Sequence, residues 1–452
     1  MTWAAEAWYK LRVPELLDTL KGFSALGSTL AAFGMILVLA RFKVPLSLAV
    51  LAGTVALAAL FRMPPGDAAV TFVVGATRPI TIGLVVITVL LLALSEMMRA
   101  SGQLAEIVSL AGKLLRRPAV SMAALPALIG LLPMPGGALF SAPMVESAAG
   151  KAKVSGARLS AVNYWFRHIW EHWWPLYPGV MLAVTLTKST LGEFMAFQIP
   201  LGLSMAVAGL LIFRGTHPDL HATAEAPAPG TLRKLLWATS SIWVIMIVWG
   251  ACWGALELLG GRLSEMLSAS GMEKYVLVTL GLLASLIWTA RLNRLGWRKL
   301  ASIFGRRSIY ALTVLVVTVM VFQYTLKKLG AAEMIHEELA AVNVPVVLMV
   351  VILPFVAGMV TGLAIGFVGT SFPIVLALAG ADGAAVRPYA VLAYGCGHIG
   401  MMLSPLHVCH VVSNRYFKTS FGPVYRRILP SVVLLGALEV GYFLLLRVLM
   451  GG

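Results

Sequence analysis

The sequence predicts an all-helical membrane protein with about ten transmembrane helices and two re-entrant hairpins. Three observations lead to this prediction: the chain is poor in charge, apolar stretches of membrane-spanning length recur along it, and one spaced motif occurs in both halves. Of the 452 residues, 59% are hydrophobic and only 12% are charged, whereas a soluble domain carries about a quarter charged residues. Because so few charges cannot cover a soluble surface of this size, a soluble enzyme and a nucleic-acid-binding protein are both excluded.

Several stretches have the length and hydropathy of a membrane-spanning helix, which needs about 20 apolar residues. They cover residues 24–41, 43–61, 79–98, 157–188, 191–213, 233–257, 274–291, 309–329, 385–417 and 422–447. Two of them, 157–188 and 385–417, are too long for one straight span and carry proline near the middle, so each is predicted to be a broken helix. Residues 1–23 are predicted to form an amphipathic segment on the membrane surface.

Two further apolar stretches, 119–150 and 342–380, are interrupted by glycine and proline near their centres. Each half of either stretch is too short to cross a bilayer, so both are predicted to be re-entrant hairpins. Irregular backbone at membrane depth has to be buried in protein or line a water-filled cavity. The hairpin tips are therefore expected to lie away from lipid.

The chain divides into two similar halves around the polar linker 214–232, which gives a first repeat over 24–213 and a second over 233–447. Three motif pairs share an offset of 230 residues: Ser141 with Ser371, His168 with His398, and Pro175 with Pro405. Three matches in one register indicate an internal repeat. Because each half holds five spans and a hairpin, the halves are predicted to be inverted relative to each other, as in many secondary transporters.

The net charge of +16 is interpreted as loop charge that sets orientation in the membrane. Most of the 35 lysine and arginine residues fall in loops on one side of the predicted topology. The side richer in basic residues faces the cytoplasm. The sequence thus predicts a multi-pass protein of the cytoplasmic (inner) membrane with both termini outside.

The first broken helix contains the polar residues that point most clearly to a site. Asn163, Arg167 and Glu171 follow one another at intervals of four and share a helical face, and His168 lies on the adjacent face. A charged side chain at membrane depth is costly and usually functional, and a guanidinium can bond both oxygens of a carboxylate. The alternative is that Arg167 and Glu171 pair only with each other and lock the helix.

The second broken helix carries His398, Ser404 and His407, and the stretch Gly395–Asn414 around its break contains no acidic residue and no arginine. The two histidines bracket the break and are candidate proton carriers or hydrogen-bond donors to a substrate. Cys396, Cys409 and His410 could join them as soft metal ligands, but no pair has a spacing typical of zinc sites. No metal and no cofactor is therefore predicted, apart from Na⁺ or H⁺ as a coupling ion.

The hairpin tips are predicted at Pro135–Gly137 and at Gly369–Ser371. Residues of these tips and of the adjoining hairpin are candidate substrate contacts, namely Pro135, Gly136, Gly137, Ser141, Gly369, Thr370 and Ser371. Half-helices that end at a tip can direct N–H groups at an anion, whereas unwound carbonyls and the hydroxyls could hold Na⁺. The simpler alternative is that glycine and proline only turn the chain.

The segments PMPGGALFSAPMV, FRHIWEHWWPLYPG and MLSPLHVCHVVSNRYF resemble a family of bacterial and archaeal membrane proteins in the ion transporter superfamily. That superfamily includes divalent anion/sodium symporters and gluconate permeases. The resemblance implies a substrate site built from paired hairpin tips and broken helices. It also implies an elevator mechanism, in which a transport domain moves against a dimeric scaffold. The Ser-Asn-Thr tip motif of the dicarboxylate symporters is replaced here by Pro-Gly-Gly and Gly-Thr-Ser.

The prediction for the whole chain is a secondary active transporter, not an enzyme, that moves a small organic anion such as a carboxylate. Transport is expected to be coupled to H⁺ or Na⁺ and to use an elevator mechanism in a homodimer embedded in lipid, with no nucleic-acid partner. The cationic residues at the breaks favour an anion. The alternative is a cation or metal transporter or an Na⁺/H⁺ antiporter of the same architecture, for which only Glu171 supplies an acid at a break.

Overall fold

The computed structural model describes residues 24–115, 117–131, 137–150, 152, 154–215, 228–259, 272–331, 334–335, 337–338, 345–379 and 383–450. Throughout these ranges the regular secondary structure is helical, which confirms the predicted all-helical class. The predicted surface segment 1–23 and residues 216–227 of the predicted linker lie outside the described ranges.

Five helices of the described ranges precede the first hairpin. They are α1 (Ala25–Arg41), α2 (Leu46–Leu60), α3 (Pro65–Thr77), α4 (Pro79–Ala100) and α5 (Gln103–Leu114). The carboxylate of Glu338 accepts hydrogen bonds from the N–H groups of Ala25 and Leu26 at 2.6 and 2.8 Å. A residue from a distant part of the chain therefore caps the N-terminus of α1. Helix α3 lies where no helix was predicted from the sequence. Proline at its first position and Asp67 in its first turn favour a helix start there.

The first hairpin is formed by α6 (Pro118–Gly130) and α7 (Ala138–Ala149). The stretch 157–188 contains a break, because α8 (Gly156–Arg167) ends at the arginine and α9 (Pro178–Leu186) begins eleven residues farther along the chain. Proline lacks an N–H and has a helical φ, so it suits the first position of the restarted helix. Helix α10 (Leu191–Gly209) follows and ends in a short 3₁₀ turn (Leu210–Phe213).

The second half begins with α11 (Thr231–Ala238), α12 (Ser240–Leu259), α13 (Glu273–Leu292), α14 (Trp297–Phe304) and α15 (Arg307–Lys328). The second hairpin consists of α16 (Val346–Thr361) and α17 (Ala364–Leu378). The second break separates α18 (Gly383–Met402) from α19 (Val408–Tyr416), and α20 (Phe421–Leu449) is the last helix.

The tip of the second hairpin is not where the sequence predicted it. The chain turns at Gly362, whose φ of +62° ends α16 in the left-handed conformation that glycine favours. Gly369, Thr370 and Ser371 lie inside α17 instead. The two hydroxyls donate to carbonyls one turn earlier in the same helix, at 2.8 and 2.6 Å, and Gly369 leaves room for the side chain of Val319.

Six of the described helices are long and apolar enough to cross a membrane. They are Pro79–Ala100, Leu191–Phe213, Ser240–Leu258, Glu273–Leu292, Ile309–Lys328 and Phe421–Leu449. With the composition of the chain, they make it a multi-pass membrane protein. The ten spans, the two repeats and their orientation remain predictions.

The hairpins pack on the broken helices, and this packing positions the site. Helix α6 packs on α7 and α8, and α16 packs on α17 and α18. Helix α17 also packs on α9, so the second hairpin contacts the first broken helix. The two breaks are thereby brought together inside the bundle, beside the turn of the second hairpin.

Candidate functional site

The two helix breaks meet at a pair of histidines. His168 is the first residue after α8 and His407 is the last before α19, and their Nε2 atoms lie 3.0 Å apart. The Nδ1 atom of His168 lies 2.6 Å from the carbonyl oxygen of Tyr164, which can only accept, so Nδ1 must carry a proton. When the His168 ring is neutral its Nε2 is therefore an acceptor, and His407 must donate through its own Nε2.

A cavity of about 120 Å³ opens at this histidine pair. A cavity of about 10–15 Å³ is enough for one buried water molecule, so this cavity has room for a small molecule. Its walls come from both broken helices, from the second hairpin and from two other helices. The lining residues are Leu92, Arg167, His168, Glu171, Tyr177, Pro178, Gly179, Leu312, Leu363, Ala364, Ile365, Met401, His407, Val408 and Cys409.

Three helices begin at the cavity wall. The residues before α9, α17 and α19 are Tyr177, Leu363 and His407, and each lines the cavity together with the first two residues of its helix. None of these three residues caps its helix with a side-chain hydrogen bond. Because first-turn N–H groups have no partner within their own helix and carry partial positive charge, this wall suits an anion.

Two glycines allow the three helix starts to converge. A Cβ atom on Gly179 in α9 would lie 3.0 Å from the side chain of Ala364 in α17. A Cβ atom on Gly362 would lie 2.9 Å from the backbone nitrogen of His407. A larger residue at either position would force the helix starts apart.

Arg167 contributes the guanidinium of the cavity and is only 2% exposed. It lies against Gly137 at the start of α7, where a Cβ atom would come within 2.6 Å of Nη1. The Arg167 side chain is also in hydrogen-bonding contact with Cys409. The first hairpin thus contacts the cavity indirectly, because Gly137 leaves room for the guanidinium that lines it.

Glu171 and His407 complete the polar wall. The carboxylate of Glu171 lies 3.8 Å from His168 Nε2, and its backbone carbonyl accepts from the hydroxyl of Tyr394 at 2.7 Å. His407 Nδ1 is buried and has no hydrogen-bond partner among the residues that the structure describes. A protonated His407 can donate from this atom to a ligand.

Of the predicted site residues, Arg167, His168, Glu171 and His407 line the cavity and Gly137 contacts its guanidinium. Pro135 and Gly136 lie outside the described ranges.

Asn163 and Ser141 have a bridging role instead. Their side chains lie 2.5 Å apart, and the amide of Asn163 also donates to the Ala138 carbonyl and the Ser413 hydroxyl at 3.0 and 2.8 Å. These bonds join the first hairpin to α19. The Ser404 hydroxyl accepts from the N–H of Leu406 at 3.1 Å and so stabilises the turn of the second break.

Other predicted residues lie in different surroundings. Gly369, Thr370 and Ser371 are helix residues of α17. His398 packs against His172, with ring centroids 4.0 Å apart, in a separate buried cluster.

Three parts of the cavity wall were not predicted as substrate contacts from the sequence: Cys409, Tyr177 and the start of α17. Cys409 follows His407 by two residues, so a helix that restarts after Pro405 places it in the first turn. Its sulfur and the ring nitrogens of His168 and His407 all lie within 4.8 Å of one another, close enough to hold a soft metal ion. The start of α17 gave no comparable signal because only tertiary packing brings it to the cavity.

Similar proteins are known for most of the chain. The family model described as "Protein of unknown function (DUF401)" matches residues 25–226 and 263–446. The crystal structure of the YdaH transporter from Alcanivorax borkumensis is similar at 14% sequence identity and a TM-score of 0.47, covering 86% of this chain and 90% of that one. No curated protein matches the chain.

Proposed function

The chain belongs to the family of proteins of unknown function DUF401, and we propose that it is a secondary transporter that binds a small organic anion in the cavity between its two helix breaks. One observation carries the proposal. A buried guanidinium and the starts of three helices face the same small cavity.

The charge around the cavity favours an anion. Arg167 supplies a full positive charge with two parallel donors, which suits a carboxylate. The starts of α9, α17 and α19 add partial positive charge. These effects act at short range in a buried, low-dielectric setting, where electrostatic attraction is stronger than in water.

The remaining walls favour an organic body over a bare inorganic ion. Leu92, Leu312 and Met401 line the cavity beside its polar groups. Small-molecule sites combine such apolar walls with a few placed polar groups. A short carboxylate fits this pattern, with its charge at Arg167 and its carbon atoms on the apolar side.

The order of helices supports the finer parts of the proposal. A hairpin, a broken helix and a long helix follow one another as α6 to α10 and again as α16 to α20. Paired breaks of this kind form substrate sites in transporters built from inverted repeats. We therefore propose two inverted repeats, an elevator movement of the hairpins and broken helices, and a homodimer in the inner membrane.

A transition-metal transporter is the second candidate, because His168, His407 and Cys409 bring their ligand atoms within 4.8 Å of one another. Imidazole nitrogen and thiolate sulfur suit soft or borderline ions such as Zn²⁺. The guanidinium of Arg167, in contact with Cys409, opposes a second cation at this position. We therefore place the anion first.

A stability screen of the purified protein tests the proposal. Formate, malonate, citrate, sulfate and Zn²⁺ are added in turn, and the unfolding temperature is measured. A ligand at 100 times its Kd stabilises the folded protein by about 2.7 kcal/mol. We expect a carboxylate to stabilise the wild type and to lose this effect in Arg167→Gln.

Arg158→Gln is the matched control. Arg158 is buried in the same helix and donates to the carbonyls of Gly215 and Arg214 at 3.2 and 2.9 Å. It lies about 13 Å from Arg167 along the axis, from a rise of about 1.5 Å per residue. Equal carboxylate stabilisation of the wild type and Arg167→Gln would refute the anion site, and stabilisation by Zn²⁺ alone would favour the metal transporter. Saturable, Arg167-dependent uptake of the same carboxylate into proteoliposomes then tests transport.

A further inference from the structure

A second cluster of ionisable groups lies buried behind the anion cavity. It consists of His172 in the first break, His398 in α18 and Glu439 in α20, which are 0%, 0% and 1% exposed. The rings of His172 and His398 pack with their centroids 4.0 Å apart, and His172 Nε2 lies 3.8 Å from a carboxylate oxygen of Glu439. Three separate elements of the fold therefore supply one cluster.

The glycine beside Glu439 makes room for its carboxylate. A Cβ atom on Gly395 would lie 2.5 Å from Glu439 Oε2. Within the described part of the chain, neither oxygen of Glu439 and neither ring nitrogen of His398 has a hydrogen-bond partner. Burying such groups without partners is costly, and ionisable groups inside a membrane protein usually mark an ion or proton path.

Among the described residues, no arginine or lysine neutralises the carboxylate of Glu439, so this role is left to a proton. Cys396 and Tyr394 of α18 are close to it, and Gln198 is the buried polar residue of α10. Two basic residues of the packed helices bind elsewhere. Arg387 of α18 pairs with Glu193 of α10 at 2.6 Å, and Arg158 of α8 donates to the carbonyls of Gly215 and Arg214. One proton shared between an imidazole and a carboxylate keeps the cluster without net charge.

We propose that His172, His398 and Glu439 form the binding site of a proton that is transported with the anion. This inference rests on the proposed transport function. His172 and His398 belong to the same two broken helices that supply Arg167 and His407, so the proton and the anion are held by shared elements.

Joint binding has a clear physical advantage. Moving one charge across the membrane potential costs or releases about 2.3 kcal/mol per 100 mV. An anion that enters the cell alone moves against the usual inside-negative membrane potential, whereas a monovalent anion that enters with one proton moves no net charge. A proton in the cluster also attracts an anion to the nearby cavity, and by linkage the anion favours the proton equally.

The proton site can be tested without a substrate. Infrared spectra of purified protein are recorded across a pH titration for the wild type, Glu439→Gln and Glu193→Gln. We expect a protonated carboxyl band that the wild type and Glu193→Gln share and that Glu439→Gln lacks. A band whose area is unchanged in Glu439→Gln would overturn the assignment of the proton to this residue.

Coupling is tested in proteoliposomes that contain a pH indicator dye, with the voltage clamped and formate, malonate or citrate as the anion. With one proton per anion, a pH difference of one unit drives about tenfold accumulation. We expect Glu193→Gln to match the wild type. Glu439→Gln should keep anion binding and exchange but lose accumulation and the dye signal.

The outcomes separate the two proposals. Accumulation by Glu439→Gln that still follows the pH gradient overturns proton coupling through this cluster and leaves the anion site intact. Absence of carboxylate binding and uptake in the wild type overturns the proposed function, whatever the infrared result. If Glu439→Gln does not purify as a folded protein, His398→Gln replaces it in the uptake assay, with Glu439→Asp to test rescue by a carboxylate.

Discussion

Replacing Gly137 by alanine should weaken anion binding without unfolding the protein. The residue precedes α7 with ordinary helical angles, φ −57° and ψ −16°, so its backbone accepts alanine. The new methyl group would lie within 2.6 Å of Arg167 Nη1 and would also overlap Cζ and Nη2. Because all three atoms belong to the far end of a flexible side chain, we expect the guanidinium to move and the helices to stay.

The size of the effect follows from the contact that is lost. A hydrogen bond to a charged group contributes about 1.5–3 kcal/mol, which corresponds to about 10- to 150-fold in Kd. We therefore expect the carboxylate affinity of Gly137→Ala to fall by that factor. The unfolding free energy without ligand should change by less than about 1 kcal/mol, as for most substitutions that create no rigid overlap.

Two other glycines serve as controls in the same assay of unfolding temperature against carboxylate concentration. A Cβ atom on Gly34 in α1 would have no neighbour within 4 Å among the described residues, so Gly34→Ala should change neither stability nor affinity appreciably. Gly130 faces the backbone carbonyl of Arg167, with the carbonyl carbon 3.0 Å from a Cβ atom. Gly130→Ala should destabilise by about 1–3 kcal/mol, the usual cost of overpacking.

Affinity in Gly137→Ala within about threefold of the wild type, which is less than 1 kcal/mol, would refute the placement of the anion at this guanidinium. The same would follow from an equal loss of affinity in Gly34→Ala, because that change touches none of the cavity residues.

Three further changes probe the same region. Glu171→Gln should tighten carboxylate binding roughly tenfold in titrations. Removing one negative charge from the wall lowers the binding free energy of an anion by about 1–2 kcal/mol at an effective dielectric constant of about 20. Weaker binding would instead show that Glu171 positions Arg167. Asn163→Ala should lower the free energy of unfolding by about 1–3 kcal/mol in denaturation experiments. The selectivity among carboxylates should not change, since the amide only bridges α7 and α19. Altered selectivity would contradict this role. In a variant whose only cysteine is Cys409, bound carboxylate should slow alkylation of the thiol severalfold. Alkylation of a variant whose only cysteine is Cys252 should not change. If carboxylate did not protect Cys409, its place in the cavity wall would be contradicted.

Several features of the site could be predicted from the sequence. Proline in a long apolar stretch indicates a break, and Arg167 and Glu171 are the charged residues that shortly precede Pro175 and Pro178 in the first one. The 230-residue offset predicts that His168 and His398 are equivalent positions of two repeats, and it says nothing about which residues are in contact. The contact between His168 and His407 arises because the bundle brings the end of α8 to the start of α19.

The hairpin turn shows why local sequence is insufficient. The stretch Gly366–Ser371 contains two glycines and two hydroxyl residues, a composition typical of turns. In the structure these glycines accommodate the side chains of Thr361 and Val319 in a continuous helix, and the turn uses Gly362. A glycine that permits a turn and one that permits close packing look alike until the neighbouring helix is known.

The convergence of three helix starts is likewise a tertiary property. Each start follows a proline or glycine that is visible in the sequence, but the shared direction of the helices toward one cavity depends on packing between the hairpin and both breaks. This arrangement also explains where the buried charged groups lie. Arg167 and Glu171 line the anion cavity together, and His172 joins the cluster of Glu439 only four residues after His168. An anion held by Arg167 and a proton held beside Glu439 would thus act on the two sides of one short segment, Arg167 to His172. Because that segment is the break itself, any movement that changes access to one ligand also changes the surroundings of the other, and this is the physical requirement for coupling two fluxes.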